Sequence, residues 1–209
     1  MALLTQPLFF GPVIQYVAMA NQADIVFERH DNFQKQTYRN RCYIYGANGK
    51  QLLSVPILHS KSLERQKTKE VKIDNSFSWQ KIFIKTFESS YRSSPYFEFY
   101  EDEIMQLFHR PFDYLLDLNM KGHEIIGSCL ELENNIRFTE TYEHSYSGIK
   151  DLRFLADAKK EPIYDLKPYT QVFDNKHGFI SNLSILDLLF HEGTNALNYL
   201  ESHKDIMIG

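Results

Sequence analysis

The chain has 209 residues, of which 43% are hydrophobic and 24% are charged, and its formal net charge at pH 7 is −4. The apolar fraction is ample for a buried core. No run of 18 apolar residues occurs, so we expect no membrane insertion, and residues 1–7 lack the basic and apolar regions of a signal peptide. These features together predict a cytoplasmic protein.

The two cysteines, Cys42 and Cys129, lie far apart, and the eight histidines are scattered along the chain. Neither a Cys-x-x-Cys pair nor a histidine spacing typical of metal ligands occurs, so the sequence predicts no metal site and no disulfide scaffold. Common catalytic motifs and Gly-rich phosphate loops are missing from the sequence as well. The sequence therefore identifies no cofactor.

The charges are distributed unevenly. Between Arg29 and Lys85 there are twelve Lys or Arg residues and four Asp or Glu residues, so the remainder is strongly acidic. This asymmetry suggests an anionic ligand near the first third of the chain, or simply packing of the basic part against the acidic part. Because the net charge is negative and most aromatic residues lie in predicted helices, we expect no nucleic-acid binding.

The first 28 residues predict a strand, a loop, a helix and a second strand. Residues 2–4 are apolar, two prolines follow, and residues 13–20 carry apolar side chains at helical spacing. The apolar residues after Asp24 predict a buried strand parallel to the first. Ligands of such units bind at the carboxyl ends of the strands, so residues 5–7 and 28–31 should lie side by side at a site.

The segment 35–44 concentrates three cations, two amides and two tyrosines just before a predicted hairpin. Alternation along this strand points Cys42 and Ile44 into the core and should place Arg39 and Arg41 on one shared face. The Asn-Gly pair that follows is a strong signal for a hairpin turn.

The middle of the chain is predicted to be mostly helical. Residues 52–57 return as the hairpin partner, 59–69 form a mobile loop, and 70–74 form a short strand. Three helical stretches follow between about 78 and 134, the second of them with Ser94 as its N-cap. A strand is predicted over 136–139.

The last third of the chain is the least regular. Residues 141–168 show no clear pattern beyond one short helix within 151–156, and an extended segment follows near 169–173. Ser184 and Asp187 have the spacing of a capping box, and Gly193 should end that helix. We therefore expect an α/β fold over residues 1–209: a small mixed sheet with an N-terminal strand–loop–helix–strand unit, a β-hairpin and a helical insertion.

Three groups of residues are candidates for chemistry. Lys35, Asn40 and Arg41 suit an anion, because arginine presents a planar fork and lysine adds a point charge; the alternative is a solvated hairpin edge. His30 and Asp31 at a strand end could act as an acid–base pair, or Asp31 could serve only the turn. Asp187 is either catalytic or a helix cap. Cys42 beside Arg41 could be a nucleophile, but alternation turns it towards the core.

The chain resembles the WbqC-like protein family over nearly its whole length. The resemblance is carried by motifs at both ends of the chain and in its middle. These are Gln6-Pro7 with Phe9-Phe10 and Pro12, Asp24, the segment 35–41, Val55-Pro56, Trp79, Tyr91, the segment 94–97, the segment 169–171 and the segment 183–193.

This resemblance implies a transferase that acts on a phosphorylated or nucleotide-linked sugar precursor in bacterial surface-polysaccharide biosynthesis. In that reading Lys35 and Arg41 hold the anion, and Asn40 and Gln6 orient its polar groups. His30 or Asp31 moves a proton, with Asp187 nearby. The alternatives are a non-enzymatic anion-binding or assembly module and a nucleotidyltransferase-like enzyme. The family pattern commonly has histidine where this chain has Thr5, and the oligomeric state stays open.

Overall fold

The computed structural model describes residues 1–58 and 66–207. Within them the strands are β1 (Ala2–Thr5), β2 (Asp24–Phe27), β3 (Arg41–Gly46), β4 (Gly49–Ser54), β5 (Asn135–Phe138) and β6 (Ile149–Asp151). The α-helices are α1 (Val13–Ala20), α2 (Trp79–Tyr91), α3 (Phe97–Met105), α4 (Leu115–Cys129), α5 (Asp174–His177), α6 (Ile185–Glu192) and α7 (Ala196–Glu201).

The predicted α/β class is confirmed, with the strands arranged in two sheets. A parallel sheet has the order β5-β2-β1-β6, and β3 pairs with β4 in a separate antiparallel hairpin. The N-terminal unit is present as predicted, with Leu3 opposite Ile25 in a parallel register. Its helix α1 begins at Val13, directly after Pro12.

The two central strands of the parallel sheet, β1 and β2, are covered on both faces. Side chains alternate along a strand, yet consecutive residues such as Leu3 and Leu4 are both completely buried. Helix α1 is buried around nearly its whole circumference, including Gln15. The Gln15 amide donates to Thr5 Oγ1 and to the carbonyl of Gln6, so a polar contact inside the core fixes the end of β1.

The segment 78–134 contains α2, α3 and α4. Phe87 of α2 and Phe108, after α3, both pack on Phe10 with ring centroids 6.2 Å apart. One large cluster of buried apolar side chains includes these rings together with residues of the parallel sheet. Because the core is continuous, we propose that the helices and the sheet form one domain. No helix in the described part of the chain is long and apolar enough to cross a membrane.

Two local predictions need correction. The strand expected over 70–74 is absent from the described chain. The segment forms only isolated antiparallel bridges, Ile73 with Ile57 and Lys72 with Tyr114, because each neighbouring segment runs alongside it too briefly to form a ladder. Helix α3 begins at Phe97 after Tyr96, and Ser94 is not its N-cap: the Ser94 hydroxyl donates to the Tyr91 carbonyl.

The mobile loop predicted over 59–69 falls largely on residues 59–65, which lie outside the described residues. The end of that segment differs from the prediction. Thr68 is buried and begins a 3₁₀ turn over Thr68–Glu70. The predicted stop of α6 is confirmed, because Gly193 caps it with φ of +55°, a conformation that favours glycine.

A buried histidine in α4 should make the protein sensitive to acid. His123 is 6% exposed and packs edge-on against Phe27, and burial lowers its pKa from 6.5 to about 4. A lowered pKa in the folded state adds stability above pH 6.5 that is lost as the pH falls towards 4. Between pH 7 and 4 the wild type should lose about 2–3 kcal/mol more than His123→Phe, measured by urea unfolding. Parallel curves for the two proteins would contradict this.

Candidate functional site at the carboxyl edge of the parallel sheet

The carboxyl ends of the parallel strands meet at one edge of the sheet, where a cavity of about 1190 Å³ opens; we call it the larger cavity. Strands β2 and β5 lie on one side of β1 and β6 on the other, so the strand order changes direction at β1. Crevices at such points are the usual ligand sites of parallel sheets. The lining residues include Gln6, Asp31, Lys35, Arg39, Tyr142, His144, Asp151, Arg153, Phe154 and Asp157.

The floor of the larger cavity is a buried group of three side chains. The Gln6 amide donates to Asp31 Oδ2 at 2.7 Å, and the Arg39 guanidinium donates to the same oxygen at 2.5 Å. All three side chains are buried. Within residues 1–58 and 66–207, Gln6 Oε1, Asp31 Oδ1 and Arg39 Nε have no hydrogen-bond partner, which is uncommon for enclosed polar atoms.

Arg153, directly after β6, fixes one wall of the cavity. Its guanidinium makes a forked pair with Asp151, with Nε 2.9 Å from Oδ1. It also donates to the carbonyls of Glu143 and His144 at 2.8 and 2.9 Å, and it lies 5.3 Å from the ring centroid of Tyr142. Arg153 thus ties the irregular segment before β6 to the edge of the sheet.

Glu28, the residue after β2, stabilises the same wall through its contacts with Tyr146 and Arg153. It is completely buried, and its carboxylate accepts from the Thr139 hydroxyl at 2.9 Å and from the His30 amide at 2.7 Å. Tyr146 donates to it at 3.3 Å, and Arg153 lies 3.6 Å away. A buried carboxylate is stable only with such partners, so Glu28 joins the ends of β2 and β5 to the wall.

A second cavity of about 420 Å³ adjoins the first, and we call it the cationic cleft. It shares Phe33 and Lys35 with the larger cavity and is further lined by Gln36, Asn40, Arg41, Ser54, Val55, Pro56 and Ile57. None of these described lining residues is acidic. The side chains of Lys35 and Arg41 form no hydrogen bond or ion pair within residues 1–58 and 66–207, and Arg41 Nε is enclosed without a partner.

Two further residues shape the cationic cleft. The Asn40 amide donates to the Val55 carbonyl at 3.0 Å and to Ser54 Oγ at 3.3 Å, which fixes the chain just before Arg41. Gln36 has φ of +60°, a left-handed conformation that costs a non-glycine residue of order 1 kcal/mol. Strain of this kind clusters at ligand sites.

The structure brings together most of the predicted site residues. Gln6, Asp31 and Lys35 line the larger cavity, and Lys35, Asn40 and Arg41 line the cationic cleft. The prediction that Arg39 and Arg41 share one face is wrong, because Arg39 lies in a turn before β3. The turn directs the two side chains to different cavities.

His30 and Asp187 do not line either cavity. The His30 ring accepts a hydrogen bond from Arg29 Nε at 3.3 Å. Ser184 caps α6 through the amide of Leu186, but Asp187 completes no capping box. Its carboxylate is instead completely buried and accepts from Tyr91, Tyr169 and Gln171.

The two cysteines are buried or half-buried. Cys42 faces the core, as the alternation predicted, and burial raises the pKa of its thiol far above the ordinary value. Burial, with a smaller effect of Glu103, raises the pKa of Cys129 to about 11. Both groups are thus protonated thiols at neutral pH, which are poor nucleophiles. Among the described residues no three His, Cys, Asp or Glu side chains are grouped to hold a metal ion.

The sequence did not reveal the wall residues Tyr142, His144, Asp151 and Arg153. Asp151 is the last residue of β6, and the other three lie before or after this strand in the chain. The strand has only three residues and the weak pattern Ile-Lys-Asp. Once β6 is known, the rule that ligands bind at the carboxyl ends of strands points directly to Asp151 and Arg153. The missing signal was therefore the strand itself.

The fold and the two cavities define an α/β protein with a polar site at the carboxyl edge of a parallel sheet. The model of the WbqC-like protein family matches residues 6–164, which is most of the chain, and the chain belongs to this family. The resemblance inferred from the sequence is thereby confirmed. No curated protein and no solved structure matches the chain.

Proposed function

We propose that the protein is a transferase that acts on a phosphorylated or nucleotide-linked sugar precursor of bacterial surface polysaccharides. The observation that carries this proposal is that two adjoining cavities differ in the charged residues that line them. Lys35 and Arg41 line a cleft whose described lining contains no acidic residue, and the cleft adjoins a larger cavity at the carboxyl edge of the sheet. Membership in the WbqC-like family favours the same assignment.

The distribution of charge favours the cationic cleft as the site of the anionic part of the substrate. In the larger cavity Arg39 pairs with Asp31, and Arg153 pairs with Asp151, so those cations are already neutralised. Lys35 and Arg41 have no such partner among the described residues. A phosphate there would gain charge-assisted hydrogen bonds without breaking an ion pair.

The remainder of the substrate would extend into the larger cavity, where the candidate acid–base groups lie. Two side chains there can exchange a proton with a bound acceptor substrate of the transfer. They are the exposed His144 imidazole and the enclosed Asp31 carboxylate. His144 takes the part that the sequence suggested for His30. Gln6 and Arg39 orient Asp31, and Asn40 positions Arg41 through its bonds to Ser54 and Val55.

Removing the two cations of the cationic cleft should abolish anion binding. We expect sugar 1-phosphates or nucleotide sugars to raise the Tm of the wild type, because they bind the native state alone. Lys35→Gln and Arg41→Gln should each weaken binding about 10- to 100-fold, since each removes a charge-assisted interaction. Thermal shift followed by isothermal titration calorimetry, with glucose 1-phosphate and UDP-glucose as probes, measures both effects.

Lys85→Gln and Arg110→Gln are matched controls. Each removes one exposed cation that lines neither cavity, so the change in net charge is the same. Equal losses in the controls and in the cleft variants would mean that only the overall charge matters. Binding without turnover of any sugar donor would identify an anion-binding or assembly module instead. Release of pyrophosphate from a nucleoside triphosphate with Mg²⁺ would identify nucleotidyl transfer.

A further inference from the structure

An exposed phenylalanine lies inside the larger cavity. Phe154 is 56% exposed, although its neighbours Leu155 and Ala156 are buried in the core. Its backbone is held in a 3₁₀ turn: the Leu152 amide donates to the Leu4 carbonyl at 2.8 Å, and the Asp157 amide donates to the Phe154 carbonyl at 3.0 Å. The fold thus fixes the backbone from which this exposed apolar ring extends.

A second exposed ring lines the same cavity. Tyr142 is 42% exposed, and its face lies 5.3 Å from the Arg153 guanidinium. Arg153 is itself fixed by Asp151 and by two backbone carbonyls, so Tyr142 rests on a rigid support. The His144 ring lies edge-on to Tyr142 at 5.5 Å. The wall therefore presents a small aromatic surface rather than one isolated side chain.

Single exposed apolar residues are ordinary on protein surfaces and need no explanation. Two aromatic rings in one concave site are different, because they offer flat apolar area. The backbone of Phe154 is held in the 3₁₀ turn, and the ring of Tyr142 lies against Arg153, so ordering the two rings has a small entropic cost. Such surfaces bind the faces of planar or saturated rings. The cavity therefore has an aromatic wall, a candidate acid–base group and an adjoining cleft with two cations that have no partner among the described residues.

We infer that the larger cavity binds the ring of a ring-bearing phosphate, stacked on Phe154 and Tyr142, while its phosphate lies in the cationic cleft. This inference rests on the proposed function and specifies its ligand. The ring is either the sugar or the nucleobase of a nucleotide-linked sugar, and both offer a face to an aromatic side chain. Phosphates of similar charge without a ring should bind more weakly.

The test compares probes with and without rings by isothermal titration calorimetry. Inorganic diphosphate carries no ring, glucose 1-phosphate carries a sugar, and uridine monophosphate carries a base and a ribose. Phe154→Ala should weaken binding of a ring-bearing probe about 5- to 100-fold and change diphosphate binding less than twofold. Phe154→Tyr should restore most of the affinity, because it keeps the ring.

Phe77→Ala is the matched control, because Phe77 is another exposed phenylalanine that lines neither cavity. A loss confined to uridine monophosphate identifies the base as the stacked ring, and a loss confined to glucose 1-phosphate identifies the sugar. Equal affinities of Phe154→Ala and wild type for every probe would overturn this inference while leaving anion binding by Lys35 and Arg41 intact. If the wild type binds no probe, the inference and the proposed function fall together.

Discussion

Asp31→Asn should lower the free energy of unfolding by about 3–5 kcal/mol. Asp31 and Arg39 form a buried pair with a 2.5 Å contact, and their side chains are only 5% and 3% exposed. Asparagine keeps the shape of the side chain but removes its charge, which leaves the guanidinium enclosed and uncompensated. That penalty exceeds the net contribution of the intact pair. Urea unfolding at pH 7 measures the difference.

A double substitution separates the pair from its surroundings. Asp31→Asn with Arg39→Met removes both charges, so it should be clearly more stable than Asp31→Asn alone. The exposed pair Lys121–Glu124 is the control: Glu124→Gln should cost less than about 1 kcal/mol. If Asp31→Asn costs no more than Glu124→Gln, the floor of the cavity is not held by this ion pair.

The floor and the cationic cleft could largely be predicted from the sequence, because both follow from local patterns. The strand–loop–helix–strand start placed Gln6 and Asp31 at one edge, and the Asn-Gly turn fixed the hairpin that carries Arg41. The same reasoning failed for Arg39. The alternation was assumed to include Arg39, which lies two residues before the actual start of β3. A turn there directs its side chain to a different cavity from that of Arg41.

The wall of the cavity could not be predicted, since its place in the fold depends on contacts distant in sequence. Strand β6 is three residues long and owes its position to pairing with β1. Arg153 then reaches Glu28 and the carbonyl of Glu143, none of which has a local signature. Periodicity detects amphipathic elements, and a short polar edge strand has no such pattern.

Asp187 was also misread from a local pattern, and it should prove important for stability. The carboxylate accepts from Tyr91 at 2.9 Å, from Tyr169 at 2.8 Å and from Gln171 at 2.7 Å. These bonds join α2 and α6 to the extended segment that precedes α5 in the chain. Asp187→Asn places an NH₂ group against hydrogen-bond donors, so it should cost about 3–5 kcal/mol. Tyr169→Phe, which removes one donor, should cost about 1.5–3 kcal/mol.

The pH dependence of the stability lost in Asp187→Asn tests the protonation state of the buried carboxyl group. Burial raises the pKa of Asp187 above 3.8, and the opposing effects of His191 and the three hydrogen bonds are smaller. A raised pKa in the folded state adds stability that is complete below pH 3.8 and is lost as the pH rises through the folded-state pKa. The advantage of wild type over Asp187→Asn should therefore shrink with rising pH, by at most about 1.4 kcal/mol per unit.

Urea unfolding of both proteins from pH 3.5 to 7 measures this slope, and its sign is opposite to that expected for His123. Comparing each wild-type curve with its own variant keeps the two contributions apart, because each variant removes only one titrating group. An advantage of wild type that grows with pH would mean that the three donors stabilise the ionised carboxylate more than burial opposes it. Asp187 would then be a buried anion held by Tyr91, Tyr169 and Gln171.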